Sequence, residues 1–150
     1  MNTNEIEIGV RLLCPLERAF QMFTDNKLLE SWLTVHAEVD PVQGGRFELF
    51  WNPDDRQNDS TIGCKITAIE PNRFLSFTWK GPKEFKHFMN DAVPLTEVVV
   101  MFWEFADLGR KATDVRLIHF GWRSSVEWQE TRKYFERNWR VAFEKLREVA

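Results

Sequence analysis

The elements predicted from the sequence run strand, two short helices, six strands, long helix, and this order implies an α+β fold. Its centre is a curved antiparallel sheet of about six to seven strands, crossed by the C-terminal helix. Three observations lead there. First, Ser125 to Val149 places Trp128, Phe135, Trp139, Ala142, Phe143, Leu146 and Val149 at spacings of three, four and seven, on one helical face. Such a helix spans roughly 37 Å, the width of a small domain, so its aromatic stripe needs a broad apolar partner. Second, the middle of the chain is a series of alternating runs joined by turn residues, the signature of sequential antiparallel strands. Third, the remaining helical signals collect directly after the first strand, so the helices gather at one side of the sheet. The space between sheet and long helix is the expected functional space.

Glu5 to Leu13 alternates as a half-buried strand, with Ile6, Ile8, Val10 and Leu12 on one side and Glu5, Glu7 and Arg11 on the other. Pro15 opens a short helix with Ala19, Phe20 and Phe23 as its apolar side. Thr24-Asp25-Asn26 interrupts, and Leu28, Leu29, Trp32 and Leu33 mark a second helix. Strand character returns from Glu38, and Gln43-Gly44-Gly45 supplies a turn that tolerates positive φ. Arg46 to Trp51 puts Phe47, Leu49 and Trp51 on one face, ahead of a polar loop from Asn52 to Ser60. Ile62, Cys64 and Ile66 form the next strand; Glu70-Pro71-Asn72 turns, and Phe74 or Leu75 leads into Phe77 and Trp79. Val98 to Phe105 and Val115 to Trp122 make the last hairpin, across Ala106 to Ala112. In its first strand Val98, Val100 and Phe102 alternate with Val99, Met101, Trp103 and Phe105. Both sets are apolar, so the pattern alone leaves the inward face open.

Gly81 to Pro94 stands apart, because hairpin connections usually run about two to five residues. It carries Phe85, Phe88 and Met89 among Lys83, Glu84, Lys86 and His87, and is expected to be a lid, a binding loop or disordered. Ahead of the long helix Ser124 and Ser125 are N-cap candidates, with Glu127 three residues after Ser124 as in a capping box.

Length and composition predict one domain over residues 1–150: a chain with 43% hydrophobic residues can bury a full core, and no repeat or linker divides it. A formal net charge of −3 argues against a nucleic-acid surface. No apolar run is long enough to cross a bilayer and the opening Met1 to Glu5 does not read as a leader, so a cytoplasmic location is expected. Cys14 and Cys64 lie far apart without Cys or His neighbours at metal spacing, which predicts buried free thiols and calls for no metal or cofactor. No phosphate-binding loop or serine triad can be argued. The aromatic content, 7 Trp and 13 Phe against 1 Tyr, exceeds what a small core needs and points to a pocket walled by ring faces.

Several short patterns then fall into a known order. Ala19-Phe20, Thr24-Asp25 and Trp32 precede Val39-Asp40-Pro41 and Gly44-Gly45-Arg46-Phe47. Glu70-Pro71-Asn72-Arg73 precedes Phe77-Thr78-Trp79, and Thr113, Val115, Leu117, His119, Gly121 and Trp122 follow late in the chain. Over nearly the whole length these residues resemble the activator-of-heat-shock-protein-90-ATPase-like branch of the START-like (SRPBCC) superfamily. The resemblance implies a helix-grip architecture, a stress-response setting, and Val98, Val100 and Phe102 as the inward set. It says less about chemistry, since the superfamily spans lipid carriers, aromatase/cyclase domains, hormone receptors and co-chaperone domains. Two departures stand out: the long Gly81 to Pro94 segment, and Arg137-Asn138-Trp139 where a Gly-Trp pair is common. The second argues for an unkinked helix.

The candidate cavity wall takes Phe20 and Trp32 from the short helices and Phe88 from the long loop. Phe47, Trp51, Cys64, Phe77, Trp79, Phe102, Leu117 and His119 come from the strands, and Trp128, Phe135 and Trp139 from the long helix. The tryptophans, Trp122 included, either line that cavity or fill the core. His119 shares a face with Val115 and Leu117, so its imidazole either orients a ligand as an acid or base, or is a core histidine satisfied by neighbours. Glu104, if inward, needs a partner such as Arg46 or Arg116; otherwise it sits at the rim. Arg46 and Asp40 read as structural, Arg46 bridging the start of its strand to a carboxylate, with anion binding as the alternative. The expected function is non-catalytic binding of a small apolar or aromatic molecule, gated by Phe85, Phe88 and Met89, in a monomer or homodimer. The alternatives are a module that docks a chaperone or other protein through the same loop, and a cyclase- or hydrolase-type enzyme using His119.

Overall fold

The computed structural model describes residues 4–150; residues 1–3, on which the expectation about a leader partly rests, lie outside the described residues. Alternation drives the first strand, β1 (Ile6–Leu12), where Ile6, Ile8 and Leu12 are buried and Glu7 and Arg11 face solvent. Two short helices follow, α1 (Leu16–Thr24) and α2 (Asn26–Trp32). Pro15 caps α1 without a side chain able to accept, so the Glu104 carboxylate takes the Leu16 N–H at 2.7 Å from across the fold. Asp25 caps α2 by accepting the Leu28 N–H at 3.1 Å.

Among the described residues seven strands form, as a five-stranded antiparallel sheet and a two-stranded ribbon. The ribbon is β2 (His36–Val39) with β3 (Phe47–Phe50). The larger sheet adds β4 (Ile66–Glu70), β5 (Phe74–Trp79), β6 (Thr96–Asp107) and β7 (Arg110–Phe120) to β1, in the order β1-β7-β6-β5-β4. An Arg46–Lys65 bridge hangs the ribbon on the start of β4, with Phe47 N–H donating to the Cys64 carbonyl at 2.9 Å and Ile66 N–H to that of Gly45 at 2.8 Å. Gly45 is required where the ribbon turns, because a Cβ there would stand 2.2 Å from the Asp40 carbonyl oxygen.

The strand expected at Ile62, Cys64 and Ile66 begins only at Ile66. Gly63 takes φ 84°, and the buried Thr61 hydroxyl accepts the Leu49 N–H and donates to the Phe47 carbonyl, both at 2.9 Å. A side chain thus supplies what a strand ladder would have. One strand earlier, β3 ends at Phe50, which is buried, and Trp51 turns outward with its indole N–H on the Leu33 carbonyl at 2.9 Å.

Cross-strand pairing settles which face of β6 is buried. Val98 stands opposite His119 and Val100 opposite Leu117, all with no exposed area, while Ile6 and Ile8 continue the same rows from β1. Glu104 follows that set in parity but lies at the exposed end of the sheet, at the rim, where it caps α1. The loop expected over Ala106 to Ala112 shrinks to Leu108 and Gly109, both at positive φ, because pairing continues to Asp107 opposite Arg110.

Gly81 to Pro94 is folded. A single 3₁₀ turn (Lys83–Phe85) runs into a π turn (Lys86–Asn90), and Met89 is fully buried. The helix α3 (Val126–Val149) is continuous and buries Trp128, Thr131, Phe135, Trp139, Phe143 and Leu146. Its cap is Ser125, which accepts the Trp128 N–H; Glu127 accepts a hydrogen bond from His87 at 2.9 Å, so the capping box from Ser124 does not form. Each buried aromatic or Leu side chain contributes roughly 1.5–3 kcal/mol, so this stripe is the main tie between helix and sheet.

Candidate functional site

Where the sheet's curl leaves α3, a cleft of about 540 Å³ remains. Its floor and walls come from separate stretches: Trp32 and Leu33 at the end of α2, Trp51, Asp59 and Ser60 after β3, and Trp79 to Pro82 from the last residue of β5 onward. Tyr134, Asn138, Trp139, Val141 and Ala142 of α3 close the other side, with Val141 70% exposed at the mouth. The volume lies within the range of roughly 300–1,000 Å³ typical of small-molecule sites.

Each wall is held by identifiable bonds. Trp79 packs edge-on to Trp51 (ring centroids 5.9 Å) and tilted against Trp139 (4.9 Å). Gly81 has to be glycine, since a Cβ would meet Phe85 at 2.7 Å and Phe135 at 2.8 Å. Asn90 fastens Gly81 from both sides, its Oδ1 accepting the Gly81 N–H at 2.9 Å and its Nδ2 donating to the Gly81 carbonyl at 2.8 Å. Lys80 Nζ donates to the Ile62 carbonyl at 3.0 Å, and the Ser60 hydroxyl donates to the Arg56 carbonyl.

Of the strand, helix and loop residues singled out in the sequence, Trp32, Trp51, Trp79 and Trp139 line this cleft. The others lie elsewhere. Phe20 and Phe102 meet edge to face at 5.3 Å in the core beneath α1. Phe47 and Phe77 stack at 3.8 Å, and Leu117 is fully buried. Cys64 is 1% exposed, and burial pushes its thiol up to about 11. Phe88 sits against Trp128 at 5.4 Å, while Phe135 is ringed by Trp79, Phe85, Trp122 and Tyr134.

His119 lies one ring behind the cleft wall, with no exposed area. Trp139 Nε1 donates to its Nδ1 at 3.1 Å, so the ring proton must reside on Nε2 and is donated to Thr96 Oγ1 at 3.0 Å. The Thr96 hydroxyl passes the chain to the Trp79 carbonyl at 3.4 Å. Burial alone pushes the imidazole down from 6.5 to about 3, so the ring is neutral. This is the core-histidine arrangement: both nitrogens are engaged and neither is presented to the cleft.

Sequence reasoning missed Asp59, Ser60, Lys80, Tyr134, Asn138 and Val141. Asp59 and Ser60 fell in a polar loop, while Asn138 and Val141 flank the apolar stripe of α3, where a helical wheel assigns solvent. Ala142 was on that stripe and Leu33 beside Trp32, so adjacency was the available signal. Among the described residues no three His, Cys, Asp or Glu side chains gather as a metal site, and no helix is long and apolar enough to cross a membrane.

An antiparallel sheet gripping a C-terminal helix, with a cleft at their seam, is the START-like helix-grip fold. The solution structure of the Aha1 dimer from Colwellia psychrerythraea has this fold at a TM-score of 0.70 and 19% identity, over 97% of this chain and 94% of that one. The crystal structure of MLL2253 from Mesorhizobium loti matches at 0.68 and 24% identity, over 96% and 94%. No curated protein matches the sequence. The chain belongs to the Activator of Hsp90 ATPase homolog 1-like family, whose model matches residues 13–150.

Proposed function

We propose that this protein acts as one START-like domain that binds a small apolar or aromatic molecule in the cleft between sheet and α3, without catalysing its conversion. The observation that carries this is the cleft itself: about 540 Å³ of space bordered by four tryptophans, open beside Val141. Catalysis by His119 has no support in the geometry, because the ring is sealed and its nitrogens are taken. Docking a chaperone or other protein through 81–94 is less well supported than ligand binding, since Phe85 and Phe88 turn onto Tyr134 and Trp128 of α3. The same segment supplies Gly81 and Pro82 to the cleft and is the proposed gate. A cytoplasmic setting is supported by the buried, unpaired thiols of Cys14 and Cys64, and a homodimer by the dimeric Aha1 of Colwellia psychrerythraea that shares the fold.

The test is a titration with N-phenyl-1-naphthylamine, a neutral probe that brightens in apolar surroundings, while tryptophan emission is followed. Saturable binding is expected in the native protein and at least tenfold weaker binding in Ala142→Phe, which fills the cleft from α3. A probe signal that never saturates, or that is indifferent to Ala142→Phe in a folded variant, sinks the proposal.

A further inference from the structure

Resting on the cleft being a ligand site, we infer that its occupant is a flat apolar molecule bearing a neutral carbonyl oxygen that accepts the indole N–H of Trp79. The four tryptophans of the cleft differ in one respect. Trp32 donates to the Met22 carbonyl at 2.8 Å, Trp51 to the Leu33 carbonyl at 2.9 Å, and Trp139 to His119 at 3.1 Å. Trp79 is 3% exposed, and its Nε1 has no acceptor among the described residues. A buried donor without a partner is uncommon in native proteins and loses its hydration for nothing in return.

The surroundings explain why the protein does not satisfy this group itself. Rings of Trp51, Phe77, His119, Phe135 and Trp139 stand around Trp79 with centroids 4.9 to 6.4 Å away. They offer faces and edges rather than lone pairs, and the one ring with an acceptor nitrogen, His119, has given it to Trp139. The acceptor is thus supplied by a guest that parts the rings closing over Nε1, its flat body meeting the ring faces of the walls.

The polar lining selects a neutral oxygen over a carboxylate. The Lys80 ammonium, the one cation of the lining among the described residues, keeps its charge while donating to the Ile62 carbonyl, and Asp59 adds a negative charge to the same wall. The two charges offset each other, so the lining offers an anionic guest no net attraction to repay its lost hydration, whereas a ketone needs only the donor.

The test compares 9-fluorenone with fluorene, which share one flat skeleton and differ by the carbonyl. In a site without a donor the hydrocarbon binds better, because the ketone gives up hydration without return. Here fluorenone is expected to bind about tenfold more tightly, reversing that order. In ¹H–¹⁵N spectra the indole peak that is missing from Trp79→Phe should move downfield with fluorenone and not with fluorene. Trp79→Phe should also restore the donor-free order, with fluorenone binding more weakly than fluorene. Should that variant fold poorly, contacts to the Trp139 ring assign the peak, and the native affinities and shift decide alone. Fluorene binding as tightly as fluorenone, with the Trp79 indole unmoved, overturns the carbonyl inference and leaves the cleft as a ligand site. Binding of neither compound overturns both.

Discussion

His119 shows how a titratable residue can serve the core by never titrating. Its Nδ1 accepts from Trp139, its Nε2–H donates to Thr96, and the chain ends on the Trp79 carbonyl, so the ring braces the cleft wall from behind. Protonation would place a second hydrogen against the Trp139 N–H and a charge in an interior without a counter-ion. The folded pKa, about 3, lies below the unfolded 6.5, so the neutral ring favours the native state fully above pH 6.5. That contribution is lost as pH falls from 6.5 toward 3, because the unfolded chain takes up the proton first. Between pH 7.5 and 5.0 this one group should remove about 2 kcal/mol of stability. Urea unfolding of the native protein and of His119→Gln at both pH values checks it: the native protein should lose that much more than the variant. Parallel pH slopes would show that the ring is not sealed. Long-range ¹H–¹⁵N spectra should report the Nε2–H tautomer at pH 7 and no change at pH 5.

At the scale of elements, the segment after β5 decides the shape of the cleft. Its π turn has no periodicity to read, so the sequence marked it by its length and aromatic residues, whereas the structure packs Phe85 and Phe88 onto α3 and buries Met89. Asn90 is the residue that holds the turn to the cleft floor, through two hydrogen bonds to Gly81 and one to the Pro82 carbonyl at 3.3 Å. Asn90→Ala should cost about 1–3 kcal/mol, the price of leaving the Gly81 N–H and carbonyl without partners. Hydrogen exchange followed by mass spectrometry should then show faster exchange in peptides covering 81–94, with β6 and β7 unchanged. Unaltered protection of 81–94 would mean that its packing on α3, not Asn90, fixes the turn. The elements that were legible in advance share one property: their burial repeats. The stripe of α3 and the alternation of β1 could be read because the same face recurs. The Thr61 hydroxyl that stands in for ladder bonds, the outward turn of Trp51 and the Leu108-Gly109 turn could not, because each depends on a single tertiary contact or φ value.

On the scale of the molecule, strand parity placed His119 toward α3, yet inward residues of a core and of a cavity wall have identical parity. What separates them is how far the sheet curls before α3 fills it, a property of the whole fold. The cleft accordingly draws on residues from Trp32 to Ala142, gathered from the end of α2, the stretches that follow β3 and close β5, and α3. None of these stretches could form it alone, so the site exists only in the native state and its occupant must stabilise that state by linkage. At about a hundredfold excess over Kd the gain is roughly 2.7 kcal/mol. For a chain of this size each kcal/mol raises Tm by about 2–4 °C, so fluorenone near saturation should raise it by roughly 5–10 °C. The rise should continue logarithmically with concentration and vanish in Ala142→Phe, whose own melt should stay close to that of the unliganded protein. A guest held by ring contacts and one neutral hydrogen bond should also stabilise equally at low and high salt, whereas a charge-driven contact would weaken as salt screens it. A shift that saturates far below this range, or that persists when the cleft is filled, would place the guest on the outer surface rather than between sheet and helix.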